Sequence, residues 1–276
     1  MVTFETRGRN DKNEAAADRL KRDPVGKVLR ALSWLAEAPA TEIGVRQLAA
    51  AMKIAPSTAH RILTALAEAG FVRQNGDSQR YSLTAEFFRL AELGVAKHPV
   101  KRSAREELQR LVDICHESVL LCLYDEQRQQ LIYTSAVDPG SAARPAIKLN
   151  KWLPVRTGAS GLAILAFLQD NEAQSIISRL DSPPIRSDRA PGPCSIDAAL
   201  ARVRRQGYAF TRCQWVSGAV GLAAPIFNTR GRIMGDVCVT MNRQGCGDGS
   251  LDRLIDATLN CANQVTKKMR GRDFLC

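Results

Sequence analysis

The sequence predicts a two-part α+β protein, an N-terminal winged helix-turn-helix followed by a larger domain of helices around an antiparallel sheet. Three observations carry that prediction. Residues 45–70 hold two helical patterns about a three-residue corner, residues 71–84 hold a hairpin pattern, and the chain beyond residue 100 alternates strand-like and helix-like runs. At 276 residues and 45% hydrophobic composition, there is enough apolar material for each of two domains to bury a core.

Residues 1–23 are charged and poor in large apolar groups, which predicts a mobile arm. Val25–Glu37 reads as the first helix, with Val25, Val28, Leu29, Leu32 and Leu35 on its buried side and Pro39 as its stop. Val45–Met52 is a second short helix, and Lys53–Ala55 has the length of a helix-turn-helix corner. The third helix is PSTAHRILTALAEAG, Pro56 to Gly70. Its apolar residues Ala59, Ile62, Leu63 and Leu66 fall at i, i+3, i+4 and i+7, so one face is buried. Its other face carries Ser57, Thr58, His60, Arg61 and Thr64, all able to donate hydrogen bonds to phosphates or base edges.

An ordinary amphipathic surface helix uses the same residue types, and the flanking elements separate the two readings. FVRQ and QRYSL alternate about the turn signal Asn75-Gly76-Asp77-Ser78, which makes a hairpin wing with Arg73 and Arg80 as phosphate contacts. Arg61 has a competing role as a tether of the helix to its own domain. The winged unit therefore spans residues 24–83. Thr84–Lys97 begins at a good N-cap and carries Phe87, Leu90, Ala91 and Leu93, more apolar surface than a linker needs. Residues 84–99 are read as a connecting helix that also packs on a partner subunit, with His98-Pro99 as the boundary.

Residues 100–276 form the second domain. Val100–His116 is an amphipathic helix, and SVLLCLY (118–124) and QLIYTSA (130–136) are strands. Gly158–Leu168 is a helix entered through small residues, and a proline-rich loop, Asp181–Pro193, follows the next helix. Ser195 caps the helix Ile196–Gln206, and Gly207 stops it. Strands YAFTRC (208–213), VGLAAPIF (220–227) and RIMGDVCVT (232–240) precede a final helix, Ser250–Met269.

The formal net charge of +11 favours a polyanionic partner. It does not locate one, because residues 1–99 carry +4 and residues 100–276 carry +7. No apolar run reaches the ~18 residues of a membrane span, and the polar, mixed-charge first twenty residues do not resemble a signal peptide. The expectation is a cytoplasmic protein with no membrane partner. Eight scattered cysteines without a CxxC pair read as reduced, mostly buried thiols, and His60, His98 and His116 are too dispersed for a metal cluster. No metal or cofactor is expected. The sequence has no GxSxG elbow, P-loop or catalytic carboxylate pair, which weighs against an enzyme; Ser160 and Cys238 have no sequence-level base partner. A winged-helix module for protein interaction is the other alternative.

Thr157-Gly158-Ala159-Ser160-Gly161 opens its helix with small residues, so free N–H groups and the positive end of the helix dipole can face an anion, a carboxylate being the natural guest. Close helix packing explains the same residues. Strand alternation puts Met234, Asp236, Cys238 and Thr240 on one face, with Ile233, Gly235, Val237 and Val239 on the other. Asp236 then pairs with Arg212, reads a hydroxyl or amine of a ligand, or is a solvated strand end. Trp152 and Trp215 offer an aromatic wall or core packing.

With both halves laid out, the chain from Val25 to Met269, about nine-tenths of its length, resembles the IclR family of bacterial transcription regulators. KIAPSTAHRILTALAEAGFV and YSLT resemble that family's helix-turn-helix and wing. LPVRTGASGLAILAFL resembles its effector-helix signature, and ALARVRRQGYAF with GAVGLAAPIFNTRGRIMGDVCVT resembles its C-terminal sensor signature. The resemblance implies a GAF-like effector domain, a small organic-acid effector, and a homodimer or dimer of dimers on a palindromic double-stranded DNA operator. It also carries effector contacts over to Ala159, Ser160, Thr211, Gly221, Cys238 and Thr240; Asp236 joins them through the strand alternation. One departure is Leu162, where the family commonly has Lys.

Overall fold

The structure is a computed structural model that describes residues 23–140, 147–155, 158–179, 196–212, 219–242 and 248–270. The chain divides into two compact units, residues 1–97 and 98–276. The arm before Asp23, the loop 181–193, Ser195, Thr157 and Trp215 lie outside the described residues, as do Cys194, Cys213, Cys246 and Cys276.

In the first unit, α1 (Pro24–Glu37), α2 (Val45–Met52) and α3 (Pro56–Glu68) precede a two-stranded wing, β1 (Val72–Gln74) and β2 (Tyr81–Leu83). Asp23 caps α1 by accepting from Gly26 N at 2.8 Å. The buried side of α1 differs from expectation. Ala31 and Leu35 enter the core, whereas Val25 and Leu29 are 65% and 56% exposed. The packed stripe on α1 is narrow because α1 meets the core mainly through its second half. Lys53 turns the corner between α2 and α3 in the left-handed region, and Ile43 bridges Tyr81 to widen the wing. Leu48, Leu63, Val72 and Tyr81 close the core.

Helix α4 (Ala85–Lys97) has no buried residue. The Thr84 hydroxyl donates to the Gly70 carbonyl, tying the end of the wing to the end of α3.

In the second unit, α5 (Pro99–Cys115) leads to β3 (Ser118–Asp125), β4 (Gln130–Val137) and the short β5 (Trp152–Pro154). Helices α6 (Gly158–Phe167), α7 (Asp170–Ile177) and α8 (Ile196–Gln206) follow, then β6 (Ala209–Arg212), β7 (Ala219–Phe227), β8 (Ile233–Asn242) and α9 (Asp248–Arg270). The six strands form one antiparallel sheet in the order β5-β4-β3-β8-β7-β6. Its two central strands come from opposite ends of the domain, so the sheet closes only when the whole unit has been made.

The period-two alternation of the strands builds two cores. Val119, Leu121, Leu222, Val237 and Val239 face α5 and α9. Leu120, Cys122, Tyr133, Ala223 and Cys238 face α6, α7 and α8. Helix α6 is buried from Ala159 through Ala166 and has no polar side. Leu162 is part of that apolar core, 6% exposed.

The expected alternation on β8 holds from Asp236 to Thr240 and breaks below it. Ile233 packs with the α6 side and Met234 with the α5–α9 side, the reverse of the expectation. The cause is a bulge: Ile226 pairs with Gly235 and Phe227 with Ile233, so Met234 is the extra residue. Gly235 makes this possible, because a Cβ there would stand 2.0 Å from the Cys122 carbonyl oxygen.

Candidate functional site

Helix α3 presents its expected faces. Ala59, Ile62, Leu63 and Leu66 are buried, while Ser57, His60 and Arg61 are exposed and Thr58 and Thr64 half-buried. Ser57, His60, Arg61 and Thr64 follow one another at i, i+3, i+4 and i+7, so they share one outward stripe. Ala55 at the N-cap offers no side-chain hydrogen bond, which leaves first-turn N–H groups open to an acceptor from outside. Arg61 makes no side-chain hydrogen bond or ion pair to a described residue.

On the wing, Arg73 and Arg80 are exposed. Arg73 Nε donates to Ser82 Oγ at 3.4 Å across the hairpin. Sequence reasoning missed Glu42, whose carboxylate accepts from Asn75 Nδ2 at 2.8 Å and Ser78 Oγ at 2.9 Å and so fixes the wing turn. Those two hydrogen bonds, with Arg80 and Arg73 nearby, hold the Glu42 carboxyl below its usual range. Nothing in the local sequence marks a partner more than thirty residues away.

The second site lies between α6 and the sheet. Thr211, Gly221 and Thr240 are neighbours in register across β6, β7 and β8, and Ser118 on β3 extends the row. A Cβ on Gly221 would meet Ala159 Cβ and Thr211 Oγ1, each at 3.3 Å, so the glycine lets the N-terminal end of α6 settle on this row. Thr211 and Thr240 are each 6% exposed, and Thr240 Oγ1 has no hydrogen-bond partner among the described residues.

Farther along the same face, Ser160 donates to Asp236 Oδ1 at 2.8 Å and Tyr133 donates to Ser160 at 3.0 Å. Asp236 is wholly buried, which rules out a solvated strand end. Pairing with Arg212 falls on a side chain outside those described. Burial pushes the Asp236 carboxyl up to about 7, against the Ser160 hydrogen bond and the nearby Cys122 thiol, which favour the charged form. Among the described residues its Oδ2 has no hydrogen bond of normal geometry. The Cys122 thiol is pushed well up, and that of Cys238 to about 12, by burial first and by Asp236 next. Neither is a thiolate near neutral pH.

The structure thus brings all seven expected effector residues onto the helix α6 face, in two groups. Ala159, Thr211, Gly221 and Thr240 form one; Ser160, Asp236 and Cys238 form the other, completed by Tyr133 and Cys122. The last two follow from strand register, which the sequence does not print. Ser160 is wholly buried, its hydroxyl held between Tyr133 and Asp236. Trp152 belongs to the sheet edge, with the Arg128 guanidinium 4.9 Å from its ring centre.

An exposed polar stripe on the second helix of a winged helix-turn-helix, joined to a domain with a polar site inside it, defines a DNA-binding regulator. Residues 24–76 match the IclR helix-turn-helix domain and residues 93–267 match the C-terminal domain of the bacterial transcriptional regulator IclR. The chain belongs to the IclR family of transcriptional regulators.

It is 23% identical over 253 residues to the HTH-type transcriptional regulator KdgR of Escherichia coli K12, covering 91% of this chain and 95% of that one. Among solved structures it resembles an IclR transcriptional regulator from Alicyclobacillus acidocaldarius, with a TM-score of 0.75 at 20% identity, covering 89% of this chain and 98% of that one. An IclR homolog from Microbacterium hydrocarbonoxydans complexed with 4-hydroxybenzoate has a TM-score of 0.72 at 18% identity, covering 88% and 99%. The relatives are transcriptional regulators and not enzymes.

Proposed function

We propose that this regulator binds a palindromic operator as an oligomer, and that a small carboxylated metabolite seated between α6 and the sheet changes its DNA affinity. The observation that carries the effector reading is the buried, unpartnered Thr240 Oγ1 in register with Thr211 and Gly221 beside the N-terminal end of α6. A carboxylate there accepts from hydroxyls and from first-turn N–H groups, and the helix dipole favours its charge. Asp236 reads a donor on the same molecule, such as a hydroxyl.

On DNA, Ser57, Thr58, His60 and Thr64 meet base edges or adjacent phosphates, and Arg61, Arg73 and Arg80 meet phosphates. A single module reads few base pairs, so two copies on two half-sites supply the affinity. Helix α4, with Phe88 60%, Leu90 41% and Leu93 45% exposed and nothing buried, offers apolar surface for self-association. Among the described residues no helix is long and apolar enough to cross a membrane, consistent with work on cytoplasmic DNA.

The test is fluorescence anisotropy of the full chain on the DNA flanking its own gene, titrated against salt with and without 4-hydroxybenzoate, pyruvate and related acids. Specific binding that one acid alters supports the reading. Each phosphate contact removed, as in Arg73→Ala, reduces the salt slope by about one without relaxing sequence preference. Binding that is absent or indifferent to sequence defeats the operator assignment, and binding that no acid alters defeats the effector assignment.

A further inference from the structure

A cleft of about 390 Å³ opens at the end of α6 opposite Ala159, a volume suited to a small metabolite. α6 is ten residues long, so the two ends stand roughly 15 Å apart and one small ligand does not occupy both. Leu123, Phe167 and Met234 supply apolar walls. Its charged lining residues are Arg232, Glu126 and Glu172.

Arg232, 58% exposed, has among the described residues one ion pair, with Glu126 at 3.9 Å, which leaves most of its guanidinium donors available. Glu172 stands in the first turn of α7, where the helix dipole favours a carboxylate. Tyr124 donates to Glu172 Oε1 at 2.6 Å, which fixes that carboxylate and leaves it further acceptor capacity. His98 also lines the cleft, and its Nδ1 is buried with no hydrogen-bond partner among the described residues. Burial, with Lys101 nearby, holds the His98 imidazole below its usual pKa.

We propose that this cleft is a second small-molecule site, distinct from the one beside Ala159, and that it takes a free α-amino acid with an apolar side chain. The carboxylate lies on Arg232, the ammonium on Glu172, and the side chain on the walls of Leu123, Phe167 and Met234. A plain organic acid leaves Glu172 unmatched, and a plain amine leaves Arg232 unmatched. His98 is the first residue after α4, so the occupied site abuts the point where the chain leaves the DNA-binding unit.

Calorimetric titration of the full chain with L-leucine, 4-methylpentanoate and 3-methylbutylamine tests the charge pattern. L-leucine binds, and each truncated analogue binds at least tenfold more weakly. Arg232→Gln and Glu172→Gln each weaken L-leucine at least tenfold; the second keeps an acceptor for Tyr124, so its fold is retained. Hydrogen exchange locates the ligand, with L-leucine protecting 123–126, 167–172 and 228–234. The proposal is overturned if neither L-leucine nor L-phenylalanine gives heat, if 4-methylpentanoate binds as well as L-leucine, or if protection centres on 158–161 and 236–240. The last result assigns the amino acid to the organic-acid site.

Discussion

Strand β8 has two faces built from alternate residues of one segment, and they are made for different purposes. Val237 and Val239 point into a core of apolar side chains closed by α5 and α9, whose buried polar groups Ser103, Glu107, Thr258 and Thr266 belong to the two helices and not to the strand. Asp236, Cys238 and Thr240 point under α6 among Tyr133, Ser160 and Thr211, where a wholly buried carboxyl keeps one oxygen unpartnered. The backbone, strand order and twist are common to both. What differs is that the second face carries a desolvation cost that packing does not require, since hydrophobic residues of similar size would fill the same space. That cost is what the proposed effector site rests on.

The largest expected effect comes from the first face. Leu222→Ala removes a wholly buried side chain facing α5 and α9 and should cost about 2–5 kcal/mol in chemical denaturation. The response of the surviving folded protein to an organic acid should stay intact. Loss of that response would mean that the two faces are not separable.

Next is Asp236→Asn, read through pH. The folded-state value of about 7 lies above the ordinary 3.8, so the folded protein holds a proton that the unfolded chain has released. Stability contributed by this group is present below about pH 4 and is lost as pH rises through about 7. The variant should therefore lose less stability than the wild type between pH 5 and pH 8. Parallel denaturation midpoints at the two pH values would show that Asp236 titrates normally.

Smaller effects follow from exchanging the chemistry of neighbours. Val239→Thr places a hydroxyl in the apolar core and should destabilise by about 1–3 kcal/mol. Thr240→Val removes the unpartnered hydroxyl at nearly constant shape; stability should be unchanged or higher by up to about 1 kcal/mol. DNA binding by Thr240→Val should persist while its organic-acid response weakens, measured by anisotropy on the same operator. A wild-type acid response in that variant removes Thr240 from the effector site.

The element types and their order were legible in the sequence because periodicity reports burial, and burial decides both. The recognition stripe on α3 and the pattern Asp236-Cys238-Thr240 were read this way. Four things were not. Val25 and Leu29 fit a helical period but face outward, since α1 meets its core through Ala31 and Leu35. The bulge at Met234 depends on how close the Cys122 carbonyl comes to Gly235, a distance between strands that no local pattern contains. Ser160 finds Asp236 from 76 residues away, and β5 is too short to show an alternation. In each case the missing information was a tertiary partner.

Helix α6 has water on no side along Ala159–Ala166. Every substitution there is a core substitution, felt by the sheet beneath and by the helices that cover it. Neutral drift, which can rewrite the outer surface of α9 one residue at a time, has almost no single-step moves on α6. If the effector lies under α6 as proposed, any change of ligand specificity is also a change of core packing, because Thr211, Asp236 and Thr240 on the strands are as buried as the helix over them.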